Sequence, residues 1–395
     1  MQGSQFKHYI LEMSHRHGSL IILQTLVAIS NTMANAFALI YLYKGGADYQ
    51  QCALFILVSV VMTTALIAFA ARPIMRSFPA SIETALVCLV AYYILLMFLK
   101  GWYLILIPPI FFGTYMATFW VPYNALIMHI TSRKKRGAGV GAYFLIFPLV
   151  STTAPLAGGL IIGIGSYQVL FAIAAIIVTC NLVYVSGFGV FKELRERIII
   201  PELLQSMKVN LVGKLHVDLD MKGVSWRLKS SLFAEGIQDG IFWVLVPLIS
   251  FEFAKSEVTL SGYLALFAFW GAVTTVALGY LSDRLKDRVS IVRIGAAFGA
   301  ISTLYAAYSN GPGEYLSAMS LAYFWIAMIP SFLFTMLVDK LERFKKKGVL
   351  LREFYLSAGK CVGIAILIAV LVVGADPSIC MTVAAVALAS IIIVK

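Results

Sequence analysis

The apolar segment Leu232–Leu248 carries three polar side chains close to its start: Glu235, Gln238 and Asp239. Residues three and four positions apart share one face of a helix, so all three side chains would project from one side. A carboxylate inside a bilayer is costly unless it faces a bundle interior, a partner or water, and such residues are functional candidates by default. A carboxyl group that takes up a proton on one side of a membrane and releases it on the other could couple proton flow to the movement of a solute.

The depths of the two acids indicate which of them is more central. Counted from Lys229 at about 1.5 Å per residue, Glu235 lies roughly 9 Å and Asp239 roughly 15 Å into the bilayer, near its midplane. Lys360, in a later apolar run, lies roughly 12 Å past Arg352 on the same measure. The acids are therefore either sites of proton coupling or substrate contact, or members of a structural ion pair with Lys360. Two acids and one lysine leave one carboxylate uncompensated, which favours a functional role.

Neutral polar and aromatic residues in the apolar runs could also contact a solute. Asn31 and Asn35 suit hydrogen bonding to a hydroxyl-bearing or polar solute, although they could equally bond between helices. Some aromatic residues could wall a cavity and stack on a ligand ring or sugar face, although such residues more often serve packing. These aromatic candidates are Trp120, Tyr123, Trp243, Trp270 and Trp325.

The composition is that of a polytopic membrane protein. Of the 395 residues, 61% are hydrophobic and 13% are charged, whereas soluble domains contain about 45–50% apolar residues. A bilayer core is spanned by about 20 apolar residues, and twelve runs approach this length. They cover residues 19–42, 51–71, 81–99, 102–130, 138–164, 167–189, 228–251, 260–281, 290–309, 314–338, 350–374 and 378–394. The predicted fold is all-α, with twelve transmembrane helices.

The basic residues predict the orientation of these helices. All of the 31 Lys and Arg residues fall on one side of the predicted membrane except Lys44, Lys100, Lys255 and Lys360. Since basic loops stay on the cytoplasmic side, both termini are predicted to be cytoplasmic. The same clusters account for the net charge of +12, because they lie where anionic headgroups attract them. Their division among separate short loops argues against nucleic-acid binding.

The chain divides into two similar halves. A charged segment at 190–228, interpreted as a cytoplasmic linker, separates a six-helix bundle at 1–189 from a second one at 229–395. Asn31 and Asn35 align with Glu235 and Asp239, and Phe119–Trp120 aligns with Phe324–Trp325 at nearly the same offset. Two parallel halves related by an axis along the membrane normal are typical of transporters that bind their substrate between the halves near the midplane.

Several other chemistries are not indicated. The sequence has no G-x-x-x-x-G-K-[ST] phosphate loop, no H-E-x-x-H and no C-x-x-C, which argues against ATP-driven transport, intramembrane metalloproteases and redox enzymes. The five cysteines all fall in apolar stretches and are interpreted as small buried residues. No enzyme activity, metal site or cofactor is predicted.

The loop after the eighth run resembles the signature of the major facilitator superfamily, G-x-x-x-D-R-x-G-R-R. Gly279, Asp283, Arg284 and Arg288 match it. A small residue lets two helices approach closely, and the dipole of a neighbouring helix N-terminus stabilises an Asp. The resemblance implies a twelve-helix fold, and it implies that Asp283 and Arg284 form a cytoplasmic latch favouring an outward-open state.

The fifth run carries a second motif that resembles this family, G-P-x-x-G-G, found mostly in exporters and antiporters. Pro155, Gly158 and Gly159 match it, and Ala154 stands in place of the first glycine. Proline bends a helix, and paired glycines permit tight packing against a neighbour. The motif is therefore either an antiport signature or a structural kink.

The function predicted from the sequence is secondary active transport of a small organic solute by alternating access, with protons coupled through Asp239 or Glu235. A monomer in the plasma membrane is expected. The alternatives are a facilitator, a lipid or drug exporter on the same fold, and a non-transporting membrane sensor that binds a cytoplasmic partner through the linker.

Overall fold

Thirteen α helices follow one another along the residues that the computed structural model describes, which are 2–130, 136–187, 224–281, 288–340 and 345–394. In chain order they are α1 (Gln2–Lys44), α2 (Tyr49–Arg76), α3 (Phe78–Phe98), α4 (Gly101–Ile130), α5 (Arg136–Ile164), α6 (Tyr167–Gly187), α7 (Trp226–Ala254), α8 (Glu257–Leu281), α9 (Arg288–Ala307), α10 (Pro312–Ile326), α11 (Met328–Lys340), α12 (Lys345–Val372) and α13 (Pro377–Ser390). A 3-10 helix, Ile391–Ile393, follows α13. The all-α prediction is confirmed.

Ten segments of the described chain are long and apolar enough to cross a membrane. Two shorter apolar helices, Leu149–Ile164 and Pro377–Ile393, coincide with the fifth and twelfth runs of the sequence. The count of twelve crossings and the cytoplasmic placement of both termini stay predictions. Residues 188–223, which include most of the predicted linker, lie outside the described residues, and α7 begins at Trp226, slightly before the predicted start of the second half.

Local sequence determines where several helices begin and end. A capping box starts α2: Asp48 accepts a hydrogen bond from the Gln51 amide at 2.7 Å, and the Gln51 side chain accepts one from the Asp48 amide at 3.2 Å. The Asp376 side chain caps α13 by accepting a hydrogen bond from the Ser378 amide at 2.7 Å. α7 ends where Lys255 adopts a left-handed conformation with φ of 59°.

The tenth apolar run, predicted as one helix, is divided in two. α10 ends at Ile326 and α11 begins at Met328. Pro330 explains the division, because proline lacks an amide hydrogen and its ring clashes with the carbonyl group four residues earlier, which is that of Ile326. The two helices together still form one apolar segment, Pro312–Leu337.

The same helix pairings occur in both halves. In the first half α1 packs on α5 and α6, α3 packs on α4 and α6, and α2 packs on α4. In the second half α7 packs on α12 and α13, α9 packs on α10 and α13, and α8 packs on α10. Since α12 and α13 are the eleventh and twelfth runs, these are equivalent pairs. The internal repeat inferred from the sequence is therefore present in the packing.

The two halves meet along α5 with α8 and along α2 with α12. Small residues bring the first pair together: a Cβ atom at Gly159 would lie 2.6 Å from the Cβ atom of Ser261. At the adjacent position, Gly158 packs against the α1 backbone at Met33 and against the Phe37 ring. The two glycines of the G-P-x-x-G-G resemblance thus face different helices, one in each half.

Candidate functional site

A cavity of about 640 Å³ lies between the two halves. Both halves contribute polar, aromatic and apolar side chains to its wall. Its polar lining residues include Gln24, Asn31, Asn35, Asn124, Asp239 and Arg352, and its aromatic ones include Trp120, Tyr123, Phe242, Trp243, Phe267 and Tyr323. The volume falls within the roughly 300–1,000 Å³ that is usual for small-molecule sites.

Asp239 and Lys360 form an ion pair beside this cavity. The Lys360 Nζ atom lies 2.7 Å from Asp239 Oδ2, and the side chain of Lys360 is 10% exposed whereas that of Asp239 is 40% exposed. The Lys360 ammonium also lies over the Trp243 ring, 4.2 Å from its centroid. The structure thus brings together the two groups whose pairing the sequence left open, and Asp239 also lines the cavity.

A second ionic cluster surrounds Arg352, about two helical turns after the start of α12. Its Nη1 atom lies 2.6 Å from Glu353 Oε1, and its Nη2 atom lies 3.8 Å from Glu235 Oε1. Asn124 of α4 donates a hydrogen bond to Glu353 at 3.3 Å, which joins the cluster to the first half. Within the described residues, Glu235 Oε2 and Arg352 Nε have no hydrogen-bond partner.

From the sequence, Arg352 counts among the basic residues of the cytoplasmic side and falls near the start of the eleventh apolar run, 350–374, and it is not among the predicted site residues. Arg352 is only 8% exposed and lies inside α12, where it contributes to the cavity wall. Together with Lys360 it sets two cations against the three carboxylates of Glu235, Asp239 and Glu353. A spacing of eight residues places Arg352 and Lys360 on the same side of a helix, and this spacing was the sequence signal that could have identified it.

The remaining polar candidates differ in their surroundings. Asn35 accepts a hydrogen bond from the Tyr92 hydroxyl at 2.9 Å, so it is partly used in packing. Asn31 is buried and lines the cavity, and within the described chain its Oδ1 atom has no hydrogen-bond partner. Gln238 is buried in α7 and is not among the lining residues. Asn31, Asn35 and Asp239 therefore line the cavity, whereas Glu235 and Gln238 do not.

Three of the predicted aromatic residues line the cavity and two do not. Trp120, Tyr123 and Trp243 are lining residues. Trp325 stacks instead on Phe298 of α9, with ring centroids 4.8 Å apart. Trp270 is 37% exposed on the outer surface of α8. In α10 it is Tyr323, two residues before Trp325, that lines the cavity. Trp325 therefore aligns with Trp120 in the sequence, but its side chain does not point into the cavity as that of Trp120 does.

The motif residues of the family resemblance that the structure describes lie apart from the cavity, with one exception. Pro155 lines it, whereas Gly158 and Gly159 pack against α1 and α8 as described above. Asp283 and Arg284 lie outside the described residues. Gly279 falls in the last turns of α8, and Arg288 is the first residue of α9.

Contacts also join the two halves where α1 and α12 end and where α2, α6 and α8 begin. Lys44 of α1 binds Glu257 of α8 at 2.6 Å, and the Tyr167 hydroxyl donates a hydrogen bond to the same carboxylate at 2.8 Å. The Gln50 side chain donates a hydrogen bond to the Leu371 carbonyl oxygen at 3.0 Å. We call Lys44, Tyr167 and Glu257 the outer contact.

The carboxylates of the cavity are paired with cations. No group of three or more His, Cys, Asp or Glu side chains suited to a metal ion occurs among the described residues. Asp239 contacts the Lys360 ammonium, and Glu353 contacts the Arg352 guanidinium. Groups of this kind can exchange protons or bind the charged groups of an organic solute.

Comparisons with known proteins agree on the type of fold. Residues 20–343 match the family model of the Major Facilitator Superfamily. A POT family transporter solved in complex with 5-aminolevulinic acid is similar at 12% identity and a TM-score of 0.71, covering 95% of this chain and 94% of that one. A peptide transporter, POT, in complex with alafosfalin is similar at 13% identity and a TM-score of 0.65, covering 94% of this chain and 92% of that one. No curated protein sequence matches the chain.

Proposed function

Because the chain belongs to the major facilitator superfamily, whose members are transporters, we propose that it is a secondary active carrier of a small organic solute, coupled to protons through the carboxylates of α7. It is a multi-pass integral membrane protein, and we place it in the plasma membrane as a monomer. The likeness to the solved transporters, at 12–13% identity, concerns the fold.

The charge balance at the cavity is the observation that carries the proposal. Glu235, Asp239 and Glu353 are set against Arg352 and Lys360, which leaves one negative charge in excess. A buried carboxylate without a counter-charge is strongly disfavoured in a membrane interior. One proton would neutralise the cluster, and Glu235 Oε2, which has no hydrogen-bond partner among the described residues, is an atom that could hold it.

The ion pair between Asp239 and Lys360 is compatible with a structural role as well as with coupling. Coupling is favoured because the pair is not sealed from the transport cavity: the Asp239 side chain is substantially exposed and lines the cavity. Protonation of Asp239 would release Lys360, which keeps the Trp243 ring as a partner. The pair can thus change its state without leaving an ammonium group alone in apolar surroundings.

Amide replacement of both acids tests the coupling. In liposomes containing purified Glu235→Gln/Asp239→Asn protein, we expect proton-gradient-driven uptake to fall on the order of tenfold or more, because neither side chain can then exchange a proton. The transported solute is first identified with a ligand-stabilisation screen of the purified wild-type protein at two pH values. The two single variants then show which acid carries the proton.

Glu314→Gln is the matched control, since it removes an exposed carboxylate at the start of α10, away from the cavity. Uptake that still follows the proton gradient in the double variant would eliminate proton coupling through these acids. Uptake that is independent of the gradient in the wild-type protein would instead support a facilitator.

Alternating access is the second part of the proposal, and the outer contact supplies its test. Glu257→Ala removes the acceptor shared by Lys44 and Tyr167. An exposed ion pair contributes up to about 1 kcal/mol, so we expect the population open at this end to rise roughly two- to tenfold while the protein stays folded. The measurement is the rate at which an impermeant maleimide, added from that side, labels Leu39→Cys in a cysteine-free background.

Leu39 is suitable for labelling because it is buried and lines the cavity. Glu314→Ala provides the control, because this carboxylate binds the Asn310 amide within its own half. Equal labelling of the Glu257→Ala and Glu314→Ala proteins would mean that the outer contact does not hold this end closed.

A further inference from the structure

The most exposed of the charged side chains at the cavity carries a negative charge. The Asp239 side chain is 40% exposed, whereas those of Lys360 and Arg352 are each 10% exposed. Arg352 is also held by Glu353 at 2.6 Å, and Asn124 closes the cluster from the opposite half. A solute carboxylate would have to displace Glu353 to reach Arg352, while a solute cation would meet the more exposed carboxylate of Asp239.

Lys360 binds the Asp239 carboxylate, but a second cation could replace it there. Its ammonium group contacts Asp239 Oδ2 at 2.7 Å and the Trp243 ring at 4.2 Å. Trp243 follows Asp239 by four residues on α7, so both partners lie on one helix face. A cation–π contact is favourable when the cation is desolvated. Lys360 can therefore give up Asp239 to a second cation and remain on the ring.

An unused hydrogen-bonding group faces the same cavity from the first half. Asn31 is only 8% exposed and lines the cavity, and its Oδ1 atom has no hydrogen-bond partner in the described part of the chain. A buried amide oxygen without a hydrogen-bond partner is costly, and a ligand with N–H groups would satisfy it. Asp239 and Asn31 thus present two acceptors from opposite halves.

The rest of the wall is suited to an apolar body. Trp120, Phe242, Phe267 and Tyr323 line the cavity, and Phe267 stacks with Tyr323 at a centroid distance of 5.4 Å. Aromatic faces attract organic cations as well as apolar rings. The wall therefore adds affinity for the carbon skeleton without offering a further positive charge.

We propose that the substrate of this cavity is a primary organic ammonium ion with an aromatic or other apolar body, whose ammonium group displaces Lys360 from Asp239 and donates a hydrogen bond to Asn31. The inference rests on the proposed transport function, since it takes the cavity to be the transport site. It assigns Asp239 and Asn31 as substrate contacts and Lys360 as an internal competitor of the substrate.

Binding of three matched probes to the purified full-length protein tests this assignment. The probes are 2-phenylethylammonium, the uncharged 2-phenylethanol and the anion 3-phenylpropionate, followed by tryptophan fluorescence and by thermal stabilisation in detergent. A hydrogen bond to a charged group is worth enough that the ammonium ion should bind at least about tenfold more tightly than the alcohol. The anion should bind most weakly.

Three variants separate this site from general electrostatic attraction. Asp239→Asn should weaken ammonium binding at least about tenfold and Asn31→Ala about threefold or more, whereas Lys360→Met should strengthen it about tenfold by removing the competitor. Lys100→Met is the control and should leave binding unchanged, because it removes an exposed cation between α3 and α4 that does not line the cavity. If Asp239→Asn does not fold, weaker ammonium binding by Asn31→Ala still tests the site.

The substrate class is overturned if the alcohol or the anion binds as tightly as the ammonium ion, if no probe binds, or if Lys360→Met weakens ammonium binding. None of these outcomes bears on proton coupling, which is measured separately by gradient-driven uptake in the single variant Glu235→Gln, because that variant keeps the proposed substrate contact Asp239. Failure of the substrate class and failure of the transport proposal can therefore be told apart.

Discussion

Replacing Arg352 with methionine is expected to lower the free energy of unfolding by about 3–5 kcal/mol. Methionine fills a similar volume, so the loss would come from charge and not from a cavity. Arg352 is buried, and it forms ion pairs with both Glu353 and Glu235. Its removal leaves Lys360 as one cation beside three carboxylates. The measurement is denaturant-induced unfolding of the purified protein in detergent micelles.

Restoring the charge balance should rescue this variant. Glu235→Gln combined with Arg352→Met removes one carboxylate along with the cation, and we expect it to recover a large part of the lost stability. Arg76→Met is the matched control, because Arg76 lies at the end of α2 outside the ionic cluster, where a surface substitution changes stability by about 0.5 kcal/mol or less. If Arg352→Met and Arg76→Met unfold alike, the cluster does not depend on Arg352.

The helices could be predicted from the sequence because the bilayer core permits few backbone conformations. Backbone amide and carbonyl groups must be satisfied inside each segment, so apolar runs of sufficient length imply helices, and the equivalent pairings of the two halves follow from the internal repeat. The division at Ala327 was missed although Pro330 was visible. An apolar run gives no information about a break that keeps both parts in the same membrane segment.

The site was predicted less completely because hydropathy describes the composition of a segment and not the direction in which each side chain points. Glu235, Asp239 and Lys360 were identified since single charges stand out in apolar runs. In the structure Asp239 lines the cavity, Lys360 pairs with Asp239, and Glu235 lies beside Arg352, another lining residue. Arg352 was counted with the basic cluster that precedes it and was not selected as a site residue, and the packing of α12 on α7 brings it beside Glu235. Trp325 was selected by residue type, yet its ring faces α9.

The positions of these charges depend on a close approach of α7 and α12, which Gly240 makes possible. A Cβ atom at residue 240 would lie 2.7 Å from the Lys360 carbonyl oxygen and 2.8 Å from the Lys360 Cα atom. Both contacts are with backbone atoms, which cannot rotate away as the end of a side chain can. Gly236 likewise packs against the Leu356 backbone, so the two helices approach closely over a full turn.

Gly240→Ala is therefore expected to destabilise the protein by about 1–3 kcal/mol, although alanine is the better helix former by about 1 kcal/mol in an ordinary helix. The shift of α12 should also separate Lys360 from Asp239 and lower uptake. Gly262→Ala is the matched control, because a Cβ atom at Gly262 of α8 meets nothing within 4 Å, and its stability should stay the same or rise slightly. Equal unfolding free energies for the two alanine variants would contradict the close packing of α7 on α12. A loss of both stability and uptake that is confined to Gly240→Ala would support displacement of the Lys360 backbone by the added methyl group.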